Sequence, residues 1–86
     1  MTERFTISMY FQGTDRQVIA SAVEKSNLPE NVAIVGKKEY REAKKPFVVI
    51  AHAAYPDEAT TIIKAGALDY VEMVNDADKL AQRLNS

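Results

Sequence analysis

The sequence predicts an α/β domain of three layers, in which a parallel sheet of about four strands lies between helices. Segments typical of strands alternate along the chain with segments whose apolar residues recur at helical spacing. The run 47–51, opened by Pro46, is continuously apolar, which is typical of a strand covered on both faces in a parallel sheet. Because short connections join strands to helices, we expect right-handed crossovers and functional loops at the carboxyl ends of the strands.

The N-terminal half contains two predicted strands and one predicted helix. Apolar and polar residues alternate over 5–11, which predicts the first strand, with its aromatic residues serving core and strand-end packing. Thr14 and Gln17 fit a capping box, so the first helix is expected to begin at Thr14 and to end at 27–29. The β-branched run 32–35 predicts the second strand.

The C-terminal half continues the alternation. Residues 37–45 are predicted to form a short helix or a loop whose basic side chains are solvated, with a phosphate-binding patch as the alternative. A helix is expected at 57–65, with Gly66 as a left-handed cap, followed by a strand at 70–74 on the sheet edge. The last helix is predicted over 76–85, with Asn75 or Asp76 as its cap.

Composition excludes several classes of protein. The chain has 86 residues, which is enough for the single domain that we predict over 1–86. It contains no cysteine, so neither a disulfide framework nor a thiolate metal site can form. A net charge of −1 makes a nucleic-acid partner unexpected. Short apolar runs and the lack of signal-peptide features predict a cytoplasmic protein without a membrane span.

Three segments carry a resemblance to a known family. Ile-Lys-Ala-Gly-Ala-Leu-Asp-Tyr-Val at 63–71, together with 46–53 and 78–84, resembles the C-terminal half of a response-regulator receiver domain. The resemblance implies a flavodoxin-like fold and a place in signal transduction. Only about the last 40 residues match, so it implies a receiver-like sheet one βα unit shorter than the family's.

The positions that would carry receiver chemistry hold other residues. In the family, acidic residues that bind Mg²⁺ end the first strand, whereas this chain has Met-Tyr-Phe-Gln at 9–12. The stretch 36–46 is too short for the strand and helix around a phospho-accepting aspartate. Ala51 stands where the family has threonine or serine, and Met73 and Val74 stand where it has lysine and proline. We therefore expect no enzyme activity, no catalytic or metal site and no cofactor.

Other candidate chemistry has a structural explanation in each case. His52 follows the predicted central strand, where α/β sheets bind ligands, but no nucleophile and carboxylate accompany it in the sequence, so a structural role is favoured. The acidic pairs at 57–58 and at 76 and 78 fall at predicted helix starts, where negative charge is stabilising. No glycine pattern typical of nucleotide binding is present.

The sequence therefore predicts a non-catalytic receiver-like module that acts by binding a protein partner or by self-association. Because a shortened fold leaves apolar surface uncovered, we expect a homodimer, or a heteromer with another protein. The candidate interface consists of Ile62, Tyr70, Val71, Met73, Val74 and Leu80. The alternative is a small-ligand or nucleotide-binding protein that uses the carboxyl ends of the strands. Its candidate site consists of Gln12, Gly13, Thr14, Gly36 and His52.

Overall fold

The structure is a computed structural model that describes residues 5–44 and 46–84, and it confirms the predicted fold class. The strands are β1 (Phe5–Ile7), β2 (Val32–Val35), β3 (Phe47–Ala51) and β4 (Tyr70–Glu72). The helices are α1 (Gly13–Lys25), α2 (Pro56–Lys64) and α3 (Ala77–Leu84), with a 3₁₀ helix at Tyr40–Glu42. The predicted segments 37–45 and 76–85 each include one residue, Lys45 and Asn85, outside the described part. No described helix is long and apolar enough to cross a membrane.

All four strands are parallel, and their order in the sheet follows their order in the chain. Phe5 pairs with Val32 in the first ladder, and Val49 pairs with Tyr70 in the last. β3 is bonded on both sides and every one of its residues is buried, as expected for a central strand. β1 and β4 form the two edges, which confirms the predicted edge position of the last strand.

Helices cover both faces of the sheet and form two cores. α1 and α3 lie on one face, where Ile19 and Leu80 pack on Ile34 and Val48. The other face carries α2 and the 3₁₀ helix, whose buried residues are Ile62 and Tyr40. The second core consists of Val35, Tyr40, Phe47, Val49, Ile62 and Ala67. Alternate residues of β3 thus point into different cores, which accounts for the absence of polar residues from this strand.

The two helical crossovers have opposite hand. α1 and α2 both connect neighbouring strands in the same direction across the sheet, yet they cover opposite faces. The expectation of right-handed crossovers is therefore wrong for one of them. The three-layer arrangement is compatible with a flavodoxin-like fold, but the strand order does not reverse at a switch point as it does in such folds. Packing against α3, with an ion pair of 2.8 Å between Lys25 and Asp78, holds α1 on its face.

The cap at Gly66 is as predicted. The residue has a φ of +115°, and its N–H donates to the carbonyl of Ile63 at 3.0 Å. The N–H of Ala67 donates to the carbonyl of Ile62 at 3.4 Å, which completes a Schellman motif. Ala67 and Ile62 also share the second core, so the motif fixes the corner between α2 and β4.

The capping box predicted at Thr14 is wrong. α1 begins one residue earlier, at Gly13, and its N-cap Gln12 makes no side-chain hydrogen bond. Thr14 thus lies inside the first turn, where its hydroxyl is not placed to accept the orphan N–H groups.

The first strand is shorter than the predicted 5–11. β1 ends at Ile7, and a turn follows in which the carbonyl of Ser8 accepts the N–H of Phe11 at 3.2 Å. The hydroxyl of Ser8 also accepts the N–H of Tyr10 at 3.1 Å. Serine at the first position of a turn competes with strand pairing in this way. As a result Phe11 enters the core, whereas Tyr10 is 76% exposed and does not pack as expected.

Candidate functional site

A cleft of about 320 Å³ opens where β1, β2 and β3 end. We call it the carboxyl-edge cleft; it is lined by Tyr10, Phe11, 36–39 and 50–53. Phe11, Ile50 and Ala51 are the buried members of this lining. Its position agrees with the expectation that functional loops follow the carboxyl ends of parallel strands.

The predicted ligand-site residues separate into two groups. Gly36 and His52 line the cleft. Gln12, Gly13 and Thr14 are exposed at the start of α1 and do not line it. The N–H of Gly36 donates to the carboxylate of Glu39 at 2.7 Å, so a carboxylate of the chain itself already occupies this backbone donor. The five predicted residues therefore do not form one site.

His52 forms one wall of the cleft and contacts the first turn of α1. Its Nε2 lies 2.9 Å from Oδ2 of Asp15, and the imidazole side chain is 73% exposed. Asp15 was not identified from the sequence, because 37 residues separate it from His52. The pair joins the loop after β3 to α1.

Lys37 clamps the other wall of the cleft. Its ammonium donates to Glu58 Oε1 at 2.9 Å and to the carbonyl of Ala53 at 3.1 Å. The same nitrogen lies 4.9 Å from the centre of the Tyr55 ring, within cation–π range. The hydroxyl of Tyr70 donates to Glu58 Oε1 at 3.2 Å. One lysine thus connects the loops after β2 and β3 with α2 and β4.

These contacts shift the ionisation of the residues involved. The hydrogen bond from Lys37 lowers the pKa of Glu58, and the same bond raises the pKa of Lys37. Burial raises the pKa of the Tyr70 phenol. All three shifts favour the charged carboxylate and ammonium beside a neutral phenol at neutral pH.

The turn after β1 has a clamp of its own. Nη1 of Arg16 donates to the carbonyl of Ser8 at 2.9 Å and to those of Ile7 and Phe11 at 3.3 and 3.4 Å. These bonds hold the turn against α1 and occupy carbonyl groups at the end of an edge strand. All three loops that form the cleft are therefore fixed by polar contacts to neighbouring elements.

The acidic pairs have more varied roles than capping. Asp76 Oδ1 accepts the N–H of Lys79 at 3.1 Å, which confirms Asp76 as the cap of α3. Asp57 and Glu58 do lie in the first turn of α2, where the helix makes no side-chain cap bond. Among residues 5–44 and 46–84, no group of three possible metal ligands converges.

The candidate interface is not a continuous surface. Ile62, Val71 and Leu80 are only 2%, 7% and 0% exposed, because they face the two cores of the chain itself. Their inclusion in the interface is therefore wrong: apolar spacing identified them, and the same spacing places residues in a core. Tyr70, Met73 and Val74 are half-buried at the β4 edge.

The uncovered sheet surface lies at the opposite edge. α2 and the 3₁₀ helix leave the second face of β1 and β2 partly open, so that Thr6 is exposed and Ala33 is half-buried. A groove of about 350 Å³ runs there, which we call the β1–β2 groove; its lining is 6–10, 33–35 and Glu39. Met9 and Tyr10, 86% and 76% exposed, stand at its end. Sequence reasoning missed them because it placed both inside a strand.

Comparisons of the chain with protein-family models, with curated proteins and with solved structures found no match.

Proposed function

We propose that the chain is a non-catalytic interaction or regulatory module that binds a second copy of itself through the β1–β2 groove. The observation that carries the proposal is the partly open sheet face at Thr6 and Ala33, which no helix of the described residues covers, directly beside two exposed large side chains. Exposed apolar patches with tyrosine and methionine are typical of protein interfaces. The receiver-like resemblance supports a regulatory role, and the absence of cysteine from the sequence supports a cytoplasmic location.

A second copy is the proposed occupant because groove and protruding side chains lie side by side. Under two-fold symmetry, the Met9 and Tyr10 side chains of each copy face the groove of the other, which makes the surface self-complementary. Pairing of strand edges is less favourable. Arg16 occupies the carbonyls of Ile7 and Ser8 at the end of β1, and the Asp69 carboxylate accepts the Tyr70 N–H of β4 at 2.8 Å.

Sedimentation velocity at high micromolar concentration tests the proposal. We expect the wild type to sediment as a dimer and Tyr10→Glu to sediment as a monomer, because a carboxylate buried in the groove would be unpaired. Two control variants report on other surfaces. Leu68→Lys changes an exposed side chain in the loop between α2 and β4, and Met73→Lys changes the residue that follows β4 at the sheet edge.

The outcomes separate the surfaces. Retention of the dimer in both controls, with its loss in Tyr10→Glu, supports the groove. Loss of the dimer in Met73→Lys alone would move the interface to β4, as the sequence predicted. A monomeric wild type would refute self-association and leave only a heteromeric partner to be sought.

A further inference from the structure

The carboxyl-edge cleft has the size and lining of a small-molecule site. Its volume of about 320 Å³ lies at the lower end of the range for ligand pockets, about 300–1,000 Å³, which fits a compact molecule. The mostly apolar lining favours an apolar body. Because Asp15–His52, Lys37–Ala53 and Glu39–Gly36 fix the surrounding loops, little ordering would accompany binding.

An exposed aromatic ring lines the cleft. Tyr10 is 76% exposed, and the turn that carries it is held by Arg16, so the ring is presented from a fixed backbone. An exposed tyrosine face stacks on flat rings, and such stacking is tolerant of the ring's identity. This ring favours a planar ligand.

Within the described part of the chain, the cleft lining holds one ammonium without a carboxylate partner, Lys38, and one carboxylate without a cationic partner, Glu39. Lys37 is paired with Glu58, His52 contacts Asp15, and the Glu39 carboxylate accepts the Gly36 N–H. Lys38 also lines the cleft and is exposed. Within the described part of the chain, Lys38 has neither an ion pair nor a hydrogen bond. A single anionic group on the ligand would therefore find an unpaired ammonium.

We infer that the carboxyl-edge cleft binds a small aromatic anion, namely a flat ring bearing one carboxylate or phosphate, with the ring against Tyr10 and the anion near Lys38. This site goes beyond the proposed interaction function, and because both engage Tyr10, it belongs to the single copy rather than to the dimer. It also differs from the ligand site expected from the sequence, since the start of α1 takes no part.

Two matched pairs of probes test the inference by backbone amide NMR on the whole chain. Benzoate is compared with benzyl alcohol, and adenosine 5′-monophosphate with adenosine. We expect shifts at the amides of 10–11, 36–39 and 50–53, with the anionic member of a pair binding about fivefold more tightly, as for an exposed charge pair. The pair that responds distinguishes a carboxylate ligand from a phosphate ligand.

Three variants assign the effect to side chains. Lys38→Met keeps an unbranched apolar side chain but removes the charge, so it should abolish the preference for the anionic probe. Lys44→Met changes an exposed lysine outside the cleft and should retain that preference. Tyr10→Ala should weaken the binding of all four probes and leave the preference for the anionic member of each pair unchanged.

The inference is overturned if no probe shifts the cleft amides, if the shifts map elsewhere, or if neutral and anionic probes bind equally well to the wild type. An anion preference that persists in Lys38→Met also overturns it. Sedimentation uses no ligand, so any of these results leaves the interaction proposal standing.

Discussion

Replacement of Gly66 by alanine tests the corner that joins α2 to β4. The backbone there has a φ of +115°, and the Schellman hydrogen bonds of Gly66 and Ala67 depend on that conformation. An L-residue held at positive φ costs about 1–2 kcal/mol. In a domain of this length each kcal/mol corresponds to about 4–8 °C, so Gly66→Ala should lower the melting temperature by about 4–16 °C.

Two further variants isolate the cause of that loss. Gly66→Asn should lower the melting temperature less than Gly66→Ala does, because asparagine is the other residue found at this cap. Gly36→Ala is the matched control: its φ lies outside the positive region, and the added methyl meets only the Glu39 carboxylate at 3.3 Å and the edge of Phe11 at 4.0 Å. Its unfolding free energy should change by about 0.5 kcal/mol or less.

Thermal unfolding followed by circular dichroism, checked by urea titration, measures all three variants. An unchanged or raised melting temperature for Gly66→Ala, or equal losses at both glycines, would refute the reasoning from backbone strain. Such a result would mean that the helix end relaxes without cost.

Three other predictions concern the clamp, a helix cap and the missing chemistry. The lowered pKa of Glu58 stabilises the fold at a pH above the ordinary value of 4.5, and this stabilisation is lost as the pH falls below it. The difference in melting temperature between wild type and Glu58→Gln should therefore become smaller in acid. A difference that stays constant with pH would contradict this. Asp76→Ala should lower the free energy of unfolding, measured by urea titration, by about 1 kcal/mol, and the control Asp57→Ala should lower it less. Of these two carboxylates, Asp76 is the one that accepts a helix N–H. Acetyl phosphate with Mg²⁺ should leave the mass of the protein unchanged; a stoichiometric phosphoryl adduct on an aspartate would contradict non-catalytic function.

The features that the sequence predicted are those set by local periodicity and by single special residues. The apolar run 47–51 became the central strand, and Gly66 became the cap at positive φ. Both follow from short-range constraints, namely burial on two faces and freedom from a Cβ clash. The cap Asp76 belongs to the same class, because its partner is three residues away.

The features that the sequence did not predict depend on distant contacts. The Lys37–Glu58 pair joins residues 21 apart, and the Asp15–His52 pair joins residues 37 apart. No spacing rule connects such positions before the topology is known. The strand order also mattered: it placed the open sheet face beside β1 and β2, at the opposite edge from the predicted interface.

Alternation alone was misleading at 5–11. The strand ends at Ile7 because Ser8 makes hydrogen bonds within a turn that compete with strand pairing. The turn leaves Met9 and Tyr10 exposed. The apolar spacing of Ile62, Val71 and Leu80 was equally ambiguous, because core and interface residues share one pattern. Burial separates the two, and burial is a property of the folded chain.

Photo-crosslinking from position 10 tests the central proposal most directly. A benzophenone amino acid replaces Tyr10, which is exposed, and equal amounts of nitrogen-15-labelled and unlabelled chain are mixed at high micromolar concentration. Mass spectrometry then distinguishes links between copies from links within one. The proposal predicts links between copies that end in the β1–β2 groove, at 6–10 or 33–35. Links between copies that end at 70–74, or links confined to single copies, would contradict it.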